Sequence, residues 1–255
     1  MSKVKILSYL LKIPIIKRLI PSVLRFLNIK VVENILNFKL YLELASSIDR
    51  EIFLHKKYEN DQIFFLKKIA YDHKFDYFLD IGSYIGFYPL FIENNTAIQN
   101  IYAFEPNELN FSRLKSNIKL NNSKIKIFNQ ACSDNNTTSK IWFTNKNKTG
   151  GSSVFFASDI ELKKYDKNKI FFNNVNLIKL DNKLFIKNSS ILAKIDTERH
   201  ELNVLKGAAN LFSNNKTCLQ IEIFPELRDK VFLYLQENRF RLIHSIGNDF
   251  FFKNY

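Results

Sequence analysis

Two acidic residues, each following a short apolar segment, constrain the fold of this chain more than any other feature. The first segment ends in Asp80 and the second in Glu105, 25 residues later, and a glycine turn from Gly82 to Gly86 follows the first acid. In a parallel α/β sheet, a tight turn follows one strand and a carboxylate follows the next, where it binds the ribose of a nucleoside. The spacing therefore predicts a nucleoside site on such a sheet.

The residues of the turn indicate which nucleoside binds. A dinucleotide site has three glycines in the pattern G-x-G-x-x-G and places a pyrophosphate at a helix N-terminus. Here the pattern is G-x-x-x-G, and Asp80 would repel a pyrophosphate. S-adenosylmethionine lacks phosphate and carries an ammonium and a sulfonium, so an acidic strand end suits it. The alternative is an ordinary strand–turn–helix unit with an incidental acid.

The composition is that of a globular chain with basic surface charge. Its 255 residues are 46% hydrophobic and 15% aromatic, which fits one large domain, with or without an extension. The net charge of +13 favours anionic partners, but lysine and arginine are spread along the chain, so most are expected on solvated surface. Cys132 and Cys218 have no metal-ligand or disulfide spacing, which fits a reducing, cytoplasmic setting.

The N-terminal segment is basic and apolar in alternation. Residues 1–35 are predicted to form a helical extension, and residues 36–255 the main domain. Lys12, Lys17 and Arg18 interrupt the apolar runs, so none is long enough to cross a membrane. Two interpretations remain open: residues 1–30 lie on a membrane surface, or they form a helical lid on the domain.

Alternating patterns along the rest of the chain predict strands and helices in turn. The pattern ends with a hairpin around Gly247. The whole succession of strands and helices predicts a three-layer α/β sandwich. Ser47 and Asn107 are predicted helix caps, and one continuous helix is predicted from about Glu198 to Phe212. Leu109 is expected on the buried face of the helix that follows Asn107.

Four segments in order resemble one known family. They are D-I-G-S-Y-I-G-F-Y from position 80, A-F-E-P-N from 103, N-Q-A-C-S-D from 129 and K-I-D-T-E-R-H-E-L from 194. Together they resemble the FkbM-type methyltransferases, which are class I, S-adenosylmethionine-dependent O-methyltransferases, over roughly residues 36–252. The resemblance implies a Rossmann-like class I three-layer sandwich, with a mostly parallel seven-stranded sheet and a C-terminal antiparallel hairpin.

The resemblance also implies cofactor-binding roles for matching positions. Asp80 and the two glycines would surround the methionine part, Glu105 would bind the ribose, and Ser133 would lie near the adenine. The complete set expected to bind S-adenosylmethionine is Glu59, Asp80, Gly82, Ser83, Tyr84, Gly86, Phe87, Glu105, Pro106, Asn107, Ala131, Ser133 and Asp134.

Candidate catalytic residues cluster after the fourth and fifth predicted strands. Asp196 is the first candidate for positioning the acceptor or accepting its proton, and His200 is the natural base at neutral pH. Glu198 and Glu222 end in the same crevice, although Glu198 could simply complement a helix N-terminus. These carboxylates could together hold a divalent cation, but no spacing establishes a metal ligand set.

Substrate-binding candidates fall in two places. The glycine-rich loop after an extra strand contributes Thr149, Gly150 and Ser152, which could form an acceptor loop or a plain turn. Lys194 and Arg199 could anchor an anionic or sugar-phosphate acceptor, or could be surface charges.

Two departures from the family pattern are visible. Arg199 stands where the family usually has glycine, so a positive φ at that position would strain it. Ser83 and Tyr84 replace the usual alanine and asparagine, which changes the polar contacts expected with the cofactor.

The favoured function is O-methylation of a saccharide or glycolipid, with the basic segment helping to reach a lipid-linked acceptor. One alternative is an RNA-modifying methyltransferase that uses the basic surface. The chain lacks both an N-P-P-Y motif and a Pro-Cys pair, which makes nucleic acid the weaker expectation. Another alternative is a non-catalytic scaffold with a relic fold.

Overall fold

The computed structural model describes residues 29–143 and 171–255. Within these ranges a seven-stranded sheet lies between two layers of helices. The strands are β1 (Lys30–Ile35), β2 (Phe38–Glu43), β3 (Tyr77–Ile81), β4 (Asn100–Phe104), β5 (Lys126–Phe128), β6 (Ala131–Cys132), β7 (Thr137–Phe143), β8 (Phe171–Ile178), β9 (Ser190–Ile195), β10 (Lys216–Glu222), β11 (Arg241–Ile246) and β12 (Asp249–Lys253). The helices are α1 (Ser47–His55), α2 (Asn60–His73), α3 (Phe87–Asn95), α4 (Glu108–Leu120), α5 (Leu180–Lys183), α6 (Glu201–Gly207), α7 (Ala209–Ser213) and α8 (Arg228–Glu237), with a 3-10 turn at Pro225–Leu227.

The central sheet has the order β11-β12-β10-β9-β3-β4-β5. Strands β5, β4, β3, β9 and β10 pair in parallel, and β12 pairs antiparallel with both β10 and β11. The order reverses at β3, whose neighbours are β4 and β9, so the chain leaves the sheet in opposite directions from that point. Such a reversal opens a crevice at the carboxyl ends of the strands.

Successive residues of the central strands face two separate cores. In β3, Phe78 packs with α1, α2, α3 and α4, whereas Leu79 and Ile81 pack with α5, α6, α7 and α8. Both sheet faces are therefore buried, which is why these strands are apolar throughout instead of alternating with polar residues. The predicted α/β three-layer sandwich, with its mostly parallel seven-stranded sheet and C-terminal hairpin, is confirmed.

Two smaller sheets flank this core. The antiparallel hairpin β1–β2 packs beside α4, where Asn117 and Asn121 accept hydrogen bonds from the backbone of β2. A three-stranded sheet of order β6-β8-β7 follows β5. The register of β6 against β8 places the segment after β5 along the rim of the central sheet.

Several local predictions differ from the structure. Residues 30–35, which are predicted to be part of the helical extension, form β1, whose residues alternate between exposed and more buried positions and pair antiparallel with β2. The cap of α1 is Ser46, whose hydroxyl accepts from the Asp49 backbone N–H, and not Ser47. Leu109 is 48% exposed, so the buried face of α4 is carried by Leu114 and Ile118 instead.

The helix predicted from Glu198 to Phe212 is shorter and interrupted. It begins at Glu201, because Glu198 and Arg199 have positive φ angles of 52° and 80°, which no right-handed helix accepts. It then breaks at Ala208, where φ is −118°, into α6 and α7. The break allows α7 to turn beneath β10.

Candidate functional site

A cavity of about 230 Å³ opens at the carboxyl ends of β3, β4, β9 and β10. Its wall is completed by α1, by the segment before α2 and by the first turn of α3. Twenty-four residues line it: Ile48, Ile52, Tyr58, Glu59, Asp80, Ile81, Gly82, Ser83, Tyr84, Phe87, Tyr88, Phe104, Glu105, Pro106, Asn110, Gln130, Ala131, Cys132, Lys194, Asp196, Thr197, Glu198, His200 and Glu222.

Gly82 joins the two sides of this cavity. Its φ is +93°, and a Cβ atom built on it would lie 1.8 Å from the backbone oxygen of Asp196. Its backbone N–H donates to the Phe104 carbonyl, while the N–H of Asp196 donates to the Ile81 carbonyl, each at 2.9 Å. The strand ends therefore approach so closely that only glycine fits between them.

Asp80 presents an unsatisfied carboxylate to the cavity. The residue is 1% exposed, and neither carboxylate oxygen has a hydrogen-bond partner among the described residues. Burial raises the pKa of Asp80 to about 6, although Lys194 opposes this shift. A buried carboxylate without donors is costly unless a cation or donor meets it, so this position fits a cationic ligand group.

Glu105 is held in place by backbone donors. Its two carboxylate oxygens accept from the N–H groups of Tyr84 and Asn107, each at 2.9 Å, and Asn110 adds a longer contact at 3.3 Å. Asn107 caps α4 by accepting from two backbone N–H groups of its first turn. Burial raises the pKa of Glu105 to about 7. The fixed carboxylate still has lone pairs for a diol.

Tyr84 links the turn to a buried ion pair. Its φ is +48°, a left-handed conformation, and its hydroxyl donates to Asp49 at 3.0 Å. Arg113 of α4 forms a salt bridge with the same aspartate, and Ser46 lies 3.0 Å from the Tyr84 hydroxyl. The tyrosine that replaces the family's usual asparagine is thus fixed by α1 and α4.

Lys194 is a buried cation surrounded by carboxylates. It donates to Asp196 at 2.6 Å, and its ammonium lies 4.5 Å from the centre of the Tyr88 ring. Burial alone would lower the pKa of Lys194, but the carboxylates of Asp196, Glu59 and Asp80 hold it above its ordinary value. The lysine therefore stays charged and neutralises part of this acidic group.

Glu222 and Glu198 add two more acids beside Asp196. Burial and the neighbouring Asp196 carboxylate raise the pKa of Glu222 well above its ordinary value. Burial and Asp196 also raise the pKa of Glu198. With its pKa raised to about 8, Glu222 binds a proton at neutral pH more readily than an ordinary glutamate.

His200 is buried and linked to the β6 segment. Its Nε2 lies 2.9 Å from the Ser133 hydroxyl, which in turn donates to Asp134 at 3.2 Å. Burial lowers the pKa of His200, while Asp134 opposes that shift. The imidazole is therefore neutral at pH 7 and ties α6 to β6.

Arg199 has the positive φ that the glycine of the family pattern suggested. Its backbone N–H donates to Glu201 at 2.9 Å, and its side chain donates to Glu226 at 2.7 Å. The guanidinium also lies 4.1 Å from the centre of the Phe224 ring. These contacts hold arginine in a conformation that glycine adopts without strain, and they direct its side chain to the segment after β10.

The cavity brings together most of the predicted site residues. All four catalytic candidates line it, as do Lys194 and nine of the predicted cofactor residues. The predicted residues that do not line it are Gly86, Asn107, Ser133, Asp134 and Arg199. Gly86, Asn107 and Ser133 instead support lining residues through the turn, the cap and the hydrogen bond described above. Thr149, Gly150 and Ser152 lie outside the described residues.

Sequence reasoning missed several lining residues. Tyr58, Tyr88, Asn110, Gln130 and Thr197 contribute polar atoms to the wall. Burial raises the pKa values of both tyrosines, and nearby Glu59 raises them further. The only local signal was their position beside predicted site residues, since an isolated tyrosine in an apolar segment is typical of a core.

The described ranges contain neither a metal-ligand cluster nor a helix that could span a membrane. No group of three or more His, Cys, Asp or Glu side chains in residues 29–143 and 171–255 has the arrangement of a metal site. Across the same ranges, no helix has both the length and the apolar character that crossing a membrane requires.

The strand order and the acidic crevice define an α/β methyltransferase that uses S-adenosylmethionine. The model of the FkbM methyltransferase domain matches residues 80–242, which is more than half of the chain. The chain therefore belongs to the FkbM methyltransferase family, as the four motifs predicted. Among curated proteins, no sequence matches this chain.

The chain is similar to several solved methyltransferases, at low identity and with TM-scores below 0.5. A ribosomal protein L11 methylase from Lactobacillus delbrueckii is 13% identical, with a TM-score of 0.44, and the match covers 77% of this chain and 79% of that one. An rRNA methylase from Streptococcus thermophilus is 11% identical, with a TM-score of 0.42, over 76% and 92%. The tRNA (uracil-54, C5)-methyltransferase of Pyrococcus abyssi, in complex with S-adenosyl-L-homocysteine, is 8% identical, with a TM-score of 0.47, over 88% and 43%.

The residues present fit S-adenosylmethionine. The cofactor carries an ammonium and a sulfonium, and Asp80 offers two buried carboxylate oxygens without a hydrogen-bond partner among the described residues. Glu105 offers a fixed carboxylate beyond the next strand for the ribose hydroxyls. No lysine or arginine other than Lys194 lines the cavity among the described residues, and Lys194 is paired with Asp196.

Proposed function

We propose that this protein transfers a methyl group from S-adenosylmethionine to a hydroxyl of a saccharide or glycolipid-type acceptor in the cytoplasm, as a step of surface-polysaccharide or glycolipid synthesis. The observation that carries the cofactor part is the unpartnered, buried carboxylate of Asp80 at the strand end. The acceptor part is supported by the wall beside Asp196. It carries acidic and neutral polar side chains, which suit an uncharged, hydroxyl-rich molecule better than a phosphate.

Residues on the β3–β4 side would hold the cofactor. Asp80 would bind its ammonium, and Glu105 would accept hydrogen bonds from the ribose hydroxyls. Gly82 would let the cofactor lie close to the backbone, and Ala131 on the β6 segment would face the adenine. When bound, S-adenosylmethionine supplies a methyl group on a positively charged sulfur, which makes that carbon electrophilic.

Residues on the β9–β10 side would position the acceptor and take its proton. An alcohol is a weak nucleophile, so a nearby base that accepts its proton accelerates the transfer. The proposed base is the deprotonated form of Glu222, since burial and Asp196 raise its pKa and so make that form a stronger base. Asp196 and Glu198 would accept hydrogen bonds that orient the acceptor. Lys194 would keep Asp196 in place, not bind an anion, because it already donates to Asp196.

Calorimetry with S-adenosylmethionine tests the cofactor part. Asp80→Asn should weaken binding by on the order of 100-fold, because the amide keeps the shape and loses the charge that meets the ammonium. Asp76→Asn is the matched control, since Asp76 precedes the same strand at its other end and, among the described residues, its carboxylate accepts hydrogen bonds from Ser190 alone. Equal affinity of wild type and Asp80→Asn would reject this assignment.

Methyl transfer to defined acceptors tests the second part. The full chain is incubated with a labelled methyl donor and either soluble saccharides, lipid-linked saccharides or structured RNA. Label should enter saccharides as base-stable methyl ethers. Label in RNA alone would favour the RNA-modifying alternative, which the net charge of +13 suggests.

The proposed division into an extension of residues 1–35 and a catalytic domain of residues 36–255 has its own test. Deleting residues 1–28 should reduce transfer to a lipid-linked acceptor in vesicles and leave transfer to a soluble one unchanged. If the full chain and the deletion variant transfer methyl groups to the vesicle-bound acceptor at equal rates, the proposed membrane role of residues 1–30 is rejected.

A further inference from the structure

A series of buried hydrogen bonds runs from β12 to the cavity through the side chains of Gln220 and Tyr88. The amide of Gln220 donates to Asp249 at 2.8 Å and lies 3.3 Å from the Tyr88 hydroxyl. That hydroxyl donates to Glu59 at 2.5 Å. Since the tyrosine has one hydroxyl hydrogen and gives it to Glu59, it must accept from Gln220, so the direction of each bond is fixed.

The ring of Tyr88 has a second contact. The ammonium of Lys194 lies 4.5 Å from the ring centre, within cation–π range, while its hydrogen bond goes to Asp196. Tyr88 is 5% exposed. One buried side chain therefore touches an acid that precedes α2 and a cation on β9, which are separated by more than 130 positions in the sequence.

We propose that Tyr88 is a positioning residue for cofactor binding: its hydroxyl and ring hold Glu59 and Lys194 so that Glu59 faces the cavity as a carboxylate. The inference rests on the proposed function, because the charge of Glu59 matters for a cationic cofactor. Phenylalanine would fill the same space, so packing does not explain the hydroxyl.

The surroundings of Glu59 determine how the Tyr88 hydroxyl affects its pKa. Its backbone is left-handed, with φ of 44°, and the residue is partly buried. Burial raises the pKa of Glu59, and Asp196 raises it further, while Lys194 and the hydrogen bonds from Tyr88 and Tyr58 lower it. The charged and titratable groups that interact with it are Tyr58, Asp80, Tyr88, Lys194 and Asp196.

Removing the Tyr88 hydroxyl therefore raises the pKa of Glu59 further. An ionised Glu59 favours a cation, so cofactor affinity should fall as the pH decreases through the pKa of Glu59. In Tyr88→Phe this fall begins at a higher pH. The shift should be roughly one pH unit, as expected for one hydrogen bond to a charged group.

The experiment is calorimetric titration of the full chain with S-adenosylmethionine between pH 5.5 and 8.5. Wild type, Tyr88→Phe and Tyr234→Phe are compared. Tyr234 is the matched control, because its hydroxyl donates to the Leu205 carbonyl at 3.3 Å and it does not line the cavity. The expected result is an upward shift of the affinity profile in Tyr88→Phe alone.

A double-mutant cycle separates this role from a general loss of packing. In a Glu59→Gln background, Tyr88→Phe should have no further effect on the profile, because no carboxylate remains to be held. An unchanged profile in Tyr88→Phe, or an equal shift in both backgrounds, overturns the inference. If Tyr88→Phe does not fold, Tyr58→Phe replaces it, since Tyr58 also hydrogen-bonds Glu59 and should shift the profile in the same direction. Wild type that binds no cofactor at any pH would instead reject the proposed function and the inference together.

Discussion

The β3–β4 side and the β9–β10 side of the cavity hold their acids by different means. On the first side, Glu105 accepts from the backbone N–H groups of Tyr84 and Asn107. On the second side, Asp196 accepts from the side chain of Lys194, and the Glu222 carboxylate lies against Asp196. Backbone N–H donors fix the β3–β4 side, which is therefore the backbone-held side. On the β9–β10 side, the side-chain-held region, charged side chains neutralise one another.

This difference has a functional consequence. A carboxylate held by backbone donors keeps one position, which suits recognition of a ligand that does not change. A group of acids around one lysine can shift a proton between its members. The second side is therefore the one suited to taking a proton from an acceptor.

The largest expected effect on stability comes from a substitution at Gly82, where the two sides of the cavity are in contact. Gly82→Ala places a Cβ atom 1.8 Å from the Asp196 backbone oxygen and requires a side chain at φ of +93°. Because both neighbouring strand ends are hydrogen-bonded, neither can move freely. We expect the free energy of unfolding to fall by about 5 kcal/mol or more, measured by urea denaturation.

Gly247→Ala provides the control for this substitution. Gly247 also has a positive φ, +60°, but a Cβ atom there meets nothing within 4 Å. Its cost should be only the backbone strain of about 1 kcal/mol. Equal losses in the two variants would mean that the close approach of the strands contributes nothing.

The next largest effect on stability is expected when the cation of the second side, Lys194, is removed. Lys194→Met leaves buried carboxylates without their counter-charge, so the free energy of unfolding should fall by about 3 to 5 kcal/mol at pH 8. The pKa values of the remaining acids rise further in this variant, so the loss should be smaller at pH 5.5, where they bind protons. The exposed Lys126→Met should change stability by less than about 0.5 kcal/mol. A pH-independent loss would contradict a role in balancing charge.

Sequence reasoning predicted the backbone-held side better, for a physical reason. Asp80, Gly82 and Glu105 lie at the ends of adjacent strands, and their positions in the cavity follow from local turns and caps that short patterns reveal. The succession of strands and helices was also predictable, because each element has its own periodicity.

The side-chain-held region was harder to predict. The contacts of Tyr88 with Glu59, Gln220 and Lys194 join three distant segments, and nothing in an apolar stretch marks one tyrosine as a hydrogen-bond donor. The pairing of β6 with β8 and the strand at Lys30–Ile35 were missed because a strand's partner is set by tertiary contacts.

Stability and binding should change in opposite directions at Asp80. The folded-state pKa of Asp80 is raised from 3.8 to about 6, so its contribution to stability is fully present at low pH and is lost as the pH rises between these values. Asp80→Asn, which resembles the protonated acid, should therefore be more stable than wild type by about 3 kcal/mol at pH 7.5 and equal to it near pH 4. Urea denaturation at the two pH values measures this. A lower stability of Asp80→Asn at pH 7.5 would show that an unrecognised donor holds the carboxylate.

The smallest effect concerns Arg199, on the rim of the side-chain-held region. Arg199→Gly relieves the strain of φ +80°, worth about 1 kcal/mol, but loses an exposed ion pair with Glu226 and the contact with Phe224, worth about as much together. The net change in unfolding free energy should lie within about 0.5 kcal/mol. Arg199→Ala loses the same contacts and keeps the strain, so it should be less stable than Arg199→Gly by about 1 kcal/mol. Thermal and urea unfolding of the two variants give this difference directly. If the two variants are equally stable, the turn tolerates a side chain at this φ, and the contacts with Glu226 and Phe224 alone account for arginine at the position where the family has glycine.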